Sequence, residues 1–431
     1  MKRKKKLNIA IVGLGNIGIF LFKYLNKNKE SLTKKTNVQP NILFVSAKNK
    51  KKKRNIFINK KLWLNNFMDA ANIKEIDIVI ELIGGAEGPA KKLVFKALEN
   101  KKHVITANKA LIAKYGDKLS KIAENNKVNL EYEAAVCGGV PVIRLLKEGL
   151  IANNINKVKG ILNGTSNYIL TSMEKNKISF KEALISAQKL GFAETNPESD
   201  LNGEDVASKL KILSSLCFNS FLNNNIYVEG IKNVDQDDIV NADKLGYKIK
   251  LLGFSEVNQN KITQRVHPTL IKKSSYIASI KGVLNAIIID GKPVGTSIIQ
   301  GEGAGPEATT SALVSDISSI LRGNIKYPFS ISSNERKKIQ FDSILNHHFS
   351  SYIRLDVLDK HGVLSNITAV FAKNKVSIKR LIQTPFKTKK HSSVIIITHK
   401  AVDSNLMRTV AALSKKNYSI NKPKLIRIDN T

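Results

Sequence analysis

Along the first third of the chain, short apolar runs alternate with amphipathic stretches. Residues 7–12 form an apolar run of strand length, and after a glycine-rich turn Phe20, Leu21, Tyr24 and Leu25 recur at helical spacing. Further runs at 41–47, 77–82 and 103–106 read as strands, with a helical pattern over 89–100 between the last two. Strands alternating with helices across short turns predict βαβ units and a parallel sheet. From 135 to 300, helical stretches such as 181–190 mix with strands such as 286–290. A glycine turn at 301–305 followed by Pro306 predicts a helix through 321, because proline suits the first helical position. Beyond a polar stretch at 332–346, the pattern predicts a strand at 351–358, a helix at 362–373 and a strand at 394–398.

One segment breaks the apolar and polar bookkeeping. In GFAETNPESDLNGEDVASKLKILSSL (191–216), Asn202 is placed to cap a helix whose stripe Val206, Leu210, Leu213 and Cys217 predicts burial. Asp205 and Lys209, four apart, share a face that continues as Ile212 and Leu216, so both charges are predicted to lie where burial begins. Two readings stay open: an acid favoured by the helix dipole with an ordinary i,i+4 partner, or a charge cluster kept for use despite its desolvation cost.

Composition narrows the class. The 431 residues are enough for two or three domains. The 70 Lys+Arg against 35 Asp+Glu give a formal charge of +35, which raises the question of nucleic acid. The lysines are spread along the whole chain, without an aromatic-interleaved platform or a zinc or helix-turn-helix signature, so a lysine-rich solvated surface is expected and no specific nucleic-acid partner. No run approaches the roughly 20 apolar residues that span a bilayer. Cys137 and Cys217 lack metal-ligand spacing, and a reduced, cytoplasmic setting is expected.

The turn Gly13-Leu14-Gly15-Asn16-Ile17-Gly18 lies between a predicted strand and a predicted helix, the context that a dinucleotide pyrophosphate requires. The second strand ends not in an acid for a ribose hydroxyl but in Ser46, Ala47 and Lys48, with Lys50 to Arg54 following; cations there favour a 2′-phosphate, hence NADP(H) over NAD(H). Gly84-Gly85 and Asn108-Lys109 follow the next two strands, where such folds place their ligands, and Lys109 is expected to face that crevice.

Taken together, GLGNIG at 13–18, ELIGG at 81–85, TANKALIA at 106–113, EAAVCGGVP at 133–141, GILNGTSNYIL at 160–170, the 191–216 segment and GEGAGPEAT at 301–309 resemble the homoserine dehydrogenases over nearly the full length. The resemblance implies an α/β chain in three parts. These are a Rossmann-type nucleotide-binding domain (1–134, completed by a returning helix within 301–325), a mixed α+β catalytic and dimerisation domain (135–300), and, after a linker (326–348), a C-terminal ACT-like ferredoxin-type domain (349–431) of ββαββα type. It implies interconversion of L-aspartate 4-semialdehyde and L-homoserine, a homodimer or homotetramer, and threonine as an effector at the C-terminal module.

By the same resemblance Lys209 is the proton donor and Lys109 lies beside nicotinamide and substrate. Glu194 and Asp205 are substrate carboxylates, Asp200 belongs to their cluster, and Thr165 lines the substrate pocket. Gly13, Gly15, Asn16, Ile17, Gly18, Lys48, Gly84, Gly191 and Gly303 are expected on the cofactor side. Glu133, Val136, Gly138 and Val140 are expected around a monovalent cation, Na⁺ or K⁺, held mostly by backbone carbonyls. Phe192 stands where tyrosine is common, and His361 where proline is common. Hydride addition to an aldehyde leaves negative charge on oxygen, so a cation that also gives a proton is wanted there. A second lysine beside Lys209 predicts a lowered pKa. Two other readings remain at this point: a dehydrogenase for a different amino-acid aldehyde, and an inactive amino-acid sensor.

Overall fold

The computed structural model describes residues 5–222, 226–386 and 391–429. Its first sheet is five-stranded and wholly parallel, in the order Gln39–Ser46, Lys6–Val12, Ile78–Glu81, His103–Thr106, Leu130–Glu131. The strand order reverses beside Lys6–Val12, which opens a crevice at the carboxyl ends of the strands. Helix Pro306–Leu321 returns to this unit: its Leu313, Ile317, Ile320 and Leu321 share a core with Ile9, Ile11, Leu21 and Leu25. In the first helix, Asn16–Lys27, Phe22 is buried and Tyr24 is exposed, a correction to the predicted stripe.

The second sheet is built on antiparallel neighbours Gly295–Glu302, Leu284–Lys292, Asn154–Ile161, Tyr247–Asn258 and Lys261–Lys272. It becomes mixed because Tyr227–Val228, Gln340–Phe341 and Lys424–Asp429 pair parallel to Lys261–Lys272. The last of these is the chain's final described strand. It also pairs with His348–Leu358, so the C-terminal module and the central unit share one continuous sheet. The module runs His348–Leu358, Val363–Lys373, Ile378–Pro385, His391–Thr398, Asp403–Ser414, Lys424–Asp429, a βαββαβ order in place of the expected ββαββα. The stretch expected as a linker is partly built in, since Phe329 is buried against Tyr132 and Phe221.

Two buried arginines fasten the module through ion pairs. Arg354 reaches Asp235, Asp237 and Asp238 around helix Gln236–Lys244. Arg427, 1% exposed, is held by Asp403 and Glu229. Among the described residues no helix is long and apolar enough to cross a membrane, and Cys137 and Cys217 are buried free thiols.

Candidate active site

The glycine turn is shaped by contact distances. A Cβ on Gly13, at φ +114°, would sit 2.4 Å from the Leu82 carbonyl, and one on Gly18 would sit 2.0 Å from the Gly13 carbonyl. Those two positions need glycine for packing of strand, turn and helix. A Cβ on Gly15 would meet nothing within 4 Å. The space in front of it adjoins the helix N-terminus that begins at Asn16 and Ile17, so the turn fits a pyrophosphate. Arg54 is held beside it, its Nε donating to the Leu14 carbonyl at 3.2 Å and its guanidinium 5.5 Å from the Trp63 ring centre. Lys48 is exposed at the end of the second strand.

The next two strand ends are tied by a network that sequence reading did not single out. Glu81 is fully buried. One carboxylate oxygen accepts from the amides of Ile83 and Gly84 (2.7 and 2.9 Å), and the other accepts from the Thr106 hydroxyl at 2.5 Å. Thr106 Oγ1 accepts from the Asn108 amide, and Asn108 donates to the Gly85 carbonyl and caps the helix Lys109–Asn125. Lys109 therefore starts a helix whose position is fixed by the Glu81–Thr106–Asn108 hydrogen-bond network.

The 191–216 segment comes to this corner. Helix Glu204–Cys217 is preceded by Gly203 in the left-handed conformation, and Asn202 accepts from the Glu204 amide at 3.0 Å without itself being the cap. The predicted stripe is buried, as are Ile212 and Leu216. Asp205 is 4% exposed, and its two oxygens lie 2.8 Å from Lys109 Nζ and 2.8 Å from Lys209 Nζ. Lys209 also donates to the Leu162 carbonyl at 2.7 Å. Asn163, missed by the sequence reading, caps the helix Gly164–Asn176 through its oxygen and donates from its nitrogen to Asp200 and Asp205. Its signal was available: an Asn one residue ahead of a helical pattern is a cap. Thr165 donates to the Phe192 carbonyl at 2.7 Å, which ties the helix Gly164–Asn176 to the 191–216 segment.

The charges settle each other. Burial pushes the Asp205 carboxyl up, but the ammonium groups of Lys209 and Lys109 outweigh it and leave its pKa well below the usual carboxylate range. Burial pushes Lys209 down, yet Asp205 outweighs that and its pKa stands above the ordinary lysine value. This reverses the expected lowering: the second lysine is not an unscreened neighbour, because Asp205 stands between the two. Asp200 is raised, by burial and then by Asp205. Glu194 is exposed, and among the described residues its carboxylate has no partner. Gly191, at φ +74°, follows a helix end, and Gly303 packs so closely that a Cβ would sit 2.2 Å from Asn285.

The turn after the last parallel strand is the candidate cation site. Both Glu133 carboxylate oxygens accept backbone amides, from Ile143 and Arg144, and burial raises that carboxyl to about 7. The Val140 carbonyl takes the Val142 amide. The carbonyls of Val136 and Gly138 have no donor among the described residues. Backbone oxygens here fit a hard monovalent ion, while Glu133 fits as the residue that shapes the turn. Among the described residues no group of three His, Cys, Asp or Glu side chains is placed to hold a metal.

Comparison with known proteins agrees with this geometry. The family profiles "Homoserine dehydrogenase, NAD binding domain", "Homoserine dehydrogenase" and "ACT domain" match residues 13–133, 141–318 and 351–416. The chain is 38% identical to the homoserine dehydrogenase of Helicobacter pylori, covering 99% of this chain and all of that one. The chain belongs to the homoserine dehydrogenase family. A homoserine dehydrogenase of Neisseria gonorrhoeae is 37% identical over 99% of both chains. The crystal structure of the Thiobacillus denitrificans homoserine dehydrogenase superposes with a TM-score of 0.92 at 35% identity, covering 99% of this chain and 98% of that one. The homoserine dehydrogenase activity is that of an NAD(P)-dependent oxidoreductase acting on a CH–OH group, and residues 13–133 match its NAD-binding domain.

Proposed function

We propose that the Lys109–Asp205–Lys209 cluster is the catalytic centre, with Lys209 as proton donor in the reduction of L-aspartate 4-semialdehyde to L-homoserine. The observation that carries this is Asp205 bridging the two lysines at 2.8 Å each, beside the Asn108 corner of the nucleotide unit. When bound, the reduced nicotinamide supplies the hydride. Lys209, kept protonated by Asp205, gives its Nζ proton to the aldehyde oxygen as charge develops there. Lys109 adds positive charge beside it. Because both Asp205 oxygens are engaged, its role is counter-ion to the lysines, and the substrate ammonium falls to Asp200 and Glu194. Asp200 suits this: burial and then Asp205 raise its pKa, and a substrate ammonium beside it would favour the ionised form. Thr165 holds the pocket by its bond to Phe192.

Cofactor preference is proposed for NADP(H), supported by Lys48 and by Arg54 fixed against the glycine turn. A Na⁺ or K⁺ ion at the carbonyls of Val136 and Gly138 would brace the turn next to Gly303, whose carbonyl a Gly138 Cβ would strike at 2.7 Å. Dimerisation through the central sheet is supported by the outer strand Gly295–Glu302, which carries exposed Ile298. Threonine is proposed at the cavity of about 700 Å³ around Asp359, His361, Gly362 and Gln383. The two free thiols suit a cytoplasmic setting.

Steady-state assays with L-aspartate 4-semialdehyde test these roles together, run with NADPH and NADH, with and without L-threonine, and in Na⁺, K⁺ or a bulky organic cation. NADPH is expected to give a kcat/KM about tenfold or more above NADH. Equal values would remove the cofactor assignment, and identical rates in all cations would remove the ion.

A further inference from the structure

A cavity of about 240 Å³ opens where the C-terminal module meets the central sheet. The strands Lys261–Lys272 and Lys424–Asp429 run side by side there. Both units supply its walls, with Arg265 and His267 from one and Phe349, Lys400 and Arg427 from the other.

Two buried arginines in this wall differ in their partners. Arg427 is enclosed by Asp403, Glu229 and Tyr227. Arg265, 7% exposed, is sandwiched by the Phe254 and Phe349 rings at 4.5 and 5.2 Å. Among the described residues its guanidinium makes one side-chain bond, from Nη1 to the partly exposed Glu256 at 3.2 Å, and its Nε has no acceptor. A buried guanidinium left with unmet donors is costly, and an anion in the cavity would remove that cost.

His267 sets a second requirement. It is 1% exposed, and its Nδ1 faces the Pro268 carbonyl at 3.0 Å. The Thr269 hydroxyl also lies 3.0 Å from Nδ1 and donates to the His267 carbonyl at 3.1 Å, so both neighbours of Nδ1 accept. Nδ1 therefore carries the proton and Nε2 is an acceptor, and among the described residues that Nε2 has no partner. Burial and the flanking Arg427 and Arg265 keep the ring neutral. The acids on the cavity are Glu256 and Asp429, the latter paired with Lys159.

We infer that this junction is a binding site for a small oxyanion that also carries an O–H or N–H donor, the oxyanion on Arg265 and the donor on His267 Nε2. Hydrogen phosphate and a free hydroxy- or amino-carboxylate both have that chemistry. The site spans both units, so an occupant would bridge the C-terminal module and the catalytic sheet.

The test is calorimetric titration of the full chain, in a buffer free of oxyanions, with inorganic phosphate, L-threonine, L-lactate and acetate. Saturable binding of phosphate, or of one of the two donor-bearing acids, is expected, with acetate about tenfold weaker because it has no donor. Arg265→Gln should weaken that binding about tenfold or more. Lys400→Gln, at the rim, should weaken it about threefold and leave the dehydrogenase rate without ligand unchanged. Absence of saturable binding by all three donor-bearing ligands overturns the site. So does binding that a folded Arg265→Gln retains in full, since the ligand then sits elsewhere, and acetate binding as tightly as the others overturns the donor requirement. Should Arg265→Gln not melt cooperatively, a double variant decides, Lys400→Gln combined with Lys157→Gln at a second lysine of the cavity wall, and unchanged affinity there overturns the inference.

Discussion

The cofactor turn and the substrate corner lie on neighbouring strand ends but are built from opposite materials. The turn is backbone and empty space: two glycines that admit no Cβ, and a third that faces open room. The corner is side-chain charge, two ammonium groups sharing one buried carboxylate. Steric exclusion at the turn, by the Gly13 carbonyl on Gly18 and by the Leu82 carbonyl on Gly13, survives any change in pH. Charge balance depends on partners from distant parts of the chain and fixes protonation states, so the two regions should fail differently when altered.

The largest effect is expected on the charge side. Lys209→Ala should cut kcat by about 10²-fold or more while the cofactor Kd stays near the parent value, because general acid catalysis is lost and the glycine turn is untouched. A kcat within a few-fold of the parent would mean that another group gives the proton.

On the backbone side, two alanines separate packing from access. Gly18→Ala forces a methyl against the Gly13 carbonyl and should destabilise the fold by about 3 kcal/mol, read as a lowered denaturation midpoint. Gly15→Ala has room for its methyl and should leave the midpoint unchanged while raising the cofactor KM about tenfold. If both variants lost stability equally, the space at Gly15 would not be the cofactor's.

The smallest effect sharpens the charge side. Lys250 is buried against the helix Gly164–Asn176, its Nζ donating to Asn167 at 2.9 Å and to the Ile280 carbonyl at 2.6 Å. No carboxylate touches it among the described residues, and burial pulls its pKa down to about 8. Between that value and the roughly 10.4 of an unfolded chain, the unfolded state binds more protons. Lys250 should therefore make stability rise with pH across that window. Denaturation of Lys250→Met should show that rise flattened, and an unchanged slope would reject the assignment. Lys209, also buried but paired with Asp205, shifts the other way, so the carboxylate partner decides the direction.

This contrast also explains what could be read in advance. Strand, glycine turn and helix were legible because their spacing is local, Gly18 answering to the Gly13 carbonyl five residues before it, although Gly13 meets Leu82 only through the fold; Pro306 marked its helix start correctly. Asp205 and Lys209 could be placed on one half-buried helix face, and that held. The direction of the Lys209 shift follows from Asp205 four residues before it on the same helix; the expected lowering rested on Lys109 instead, and that Lys109 is itself paired with Asp205 appears only through the fold. Glu81 looked like the end of an apolar strand, and its role appears only with Thr106 and Asn108 beside it. The βαββαβ order was missed for a similar reason: Lys424–Asp429 earns its place by pairing with Lys261–Lys272, far away along the chain.

The central claim is that Asp205 keeps Lys209 charged for proton donation. The most direct measurement is the pH dependence of kcat for reduction of L-aspartate 4-semialdehyde, compared between the parent and Asp205→Asn. With Asp205 present, the loss of activity on the basic side should lie above the ordinary lysine range. Without it, burial dominates Lys209, and the residual activity should fall away at distinctly lower pH. A basic limb that stays in place in Asp205→Asn would contradict the account.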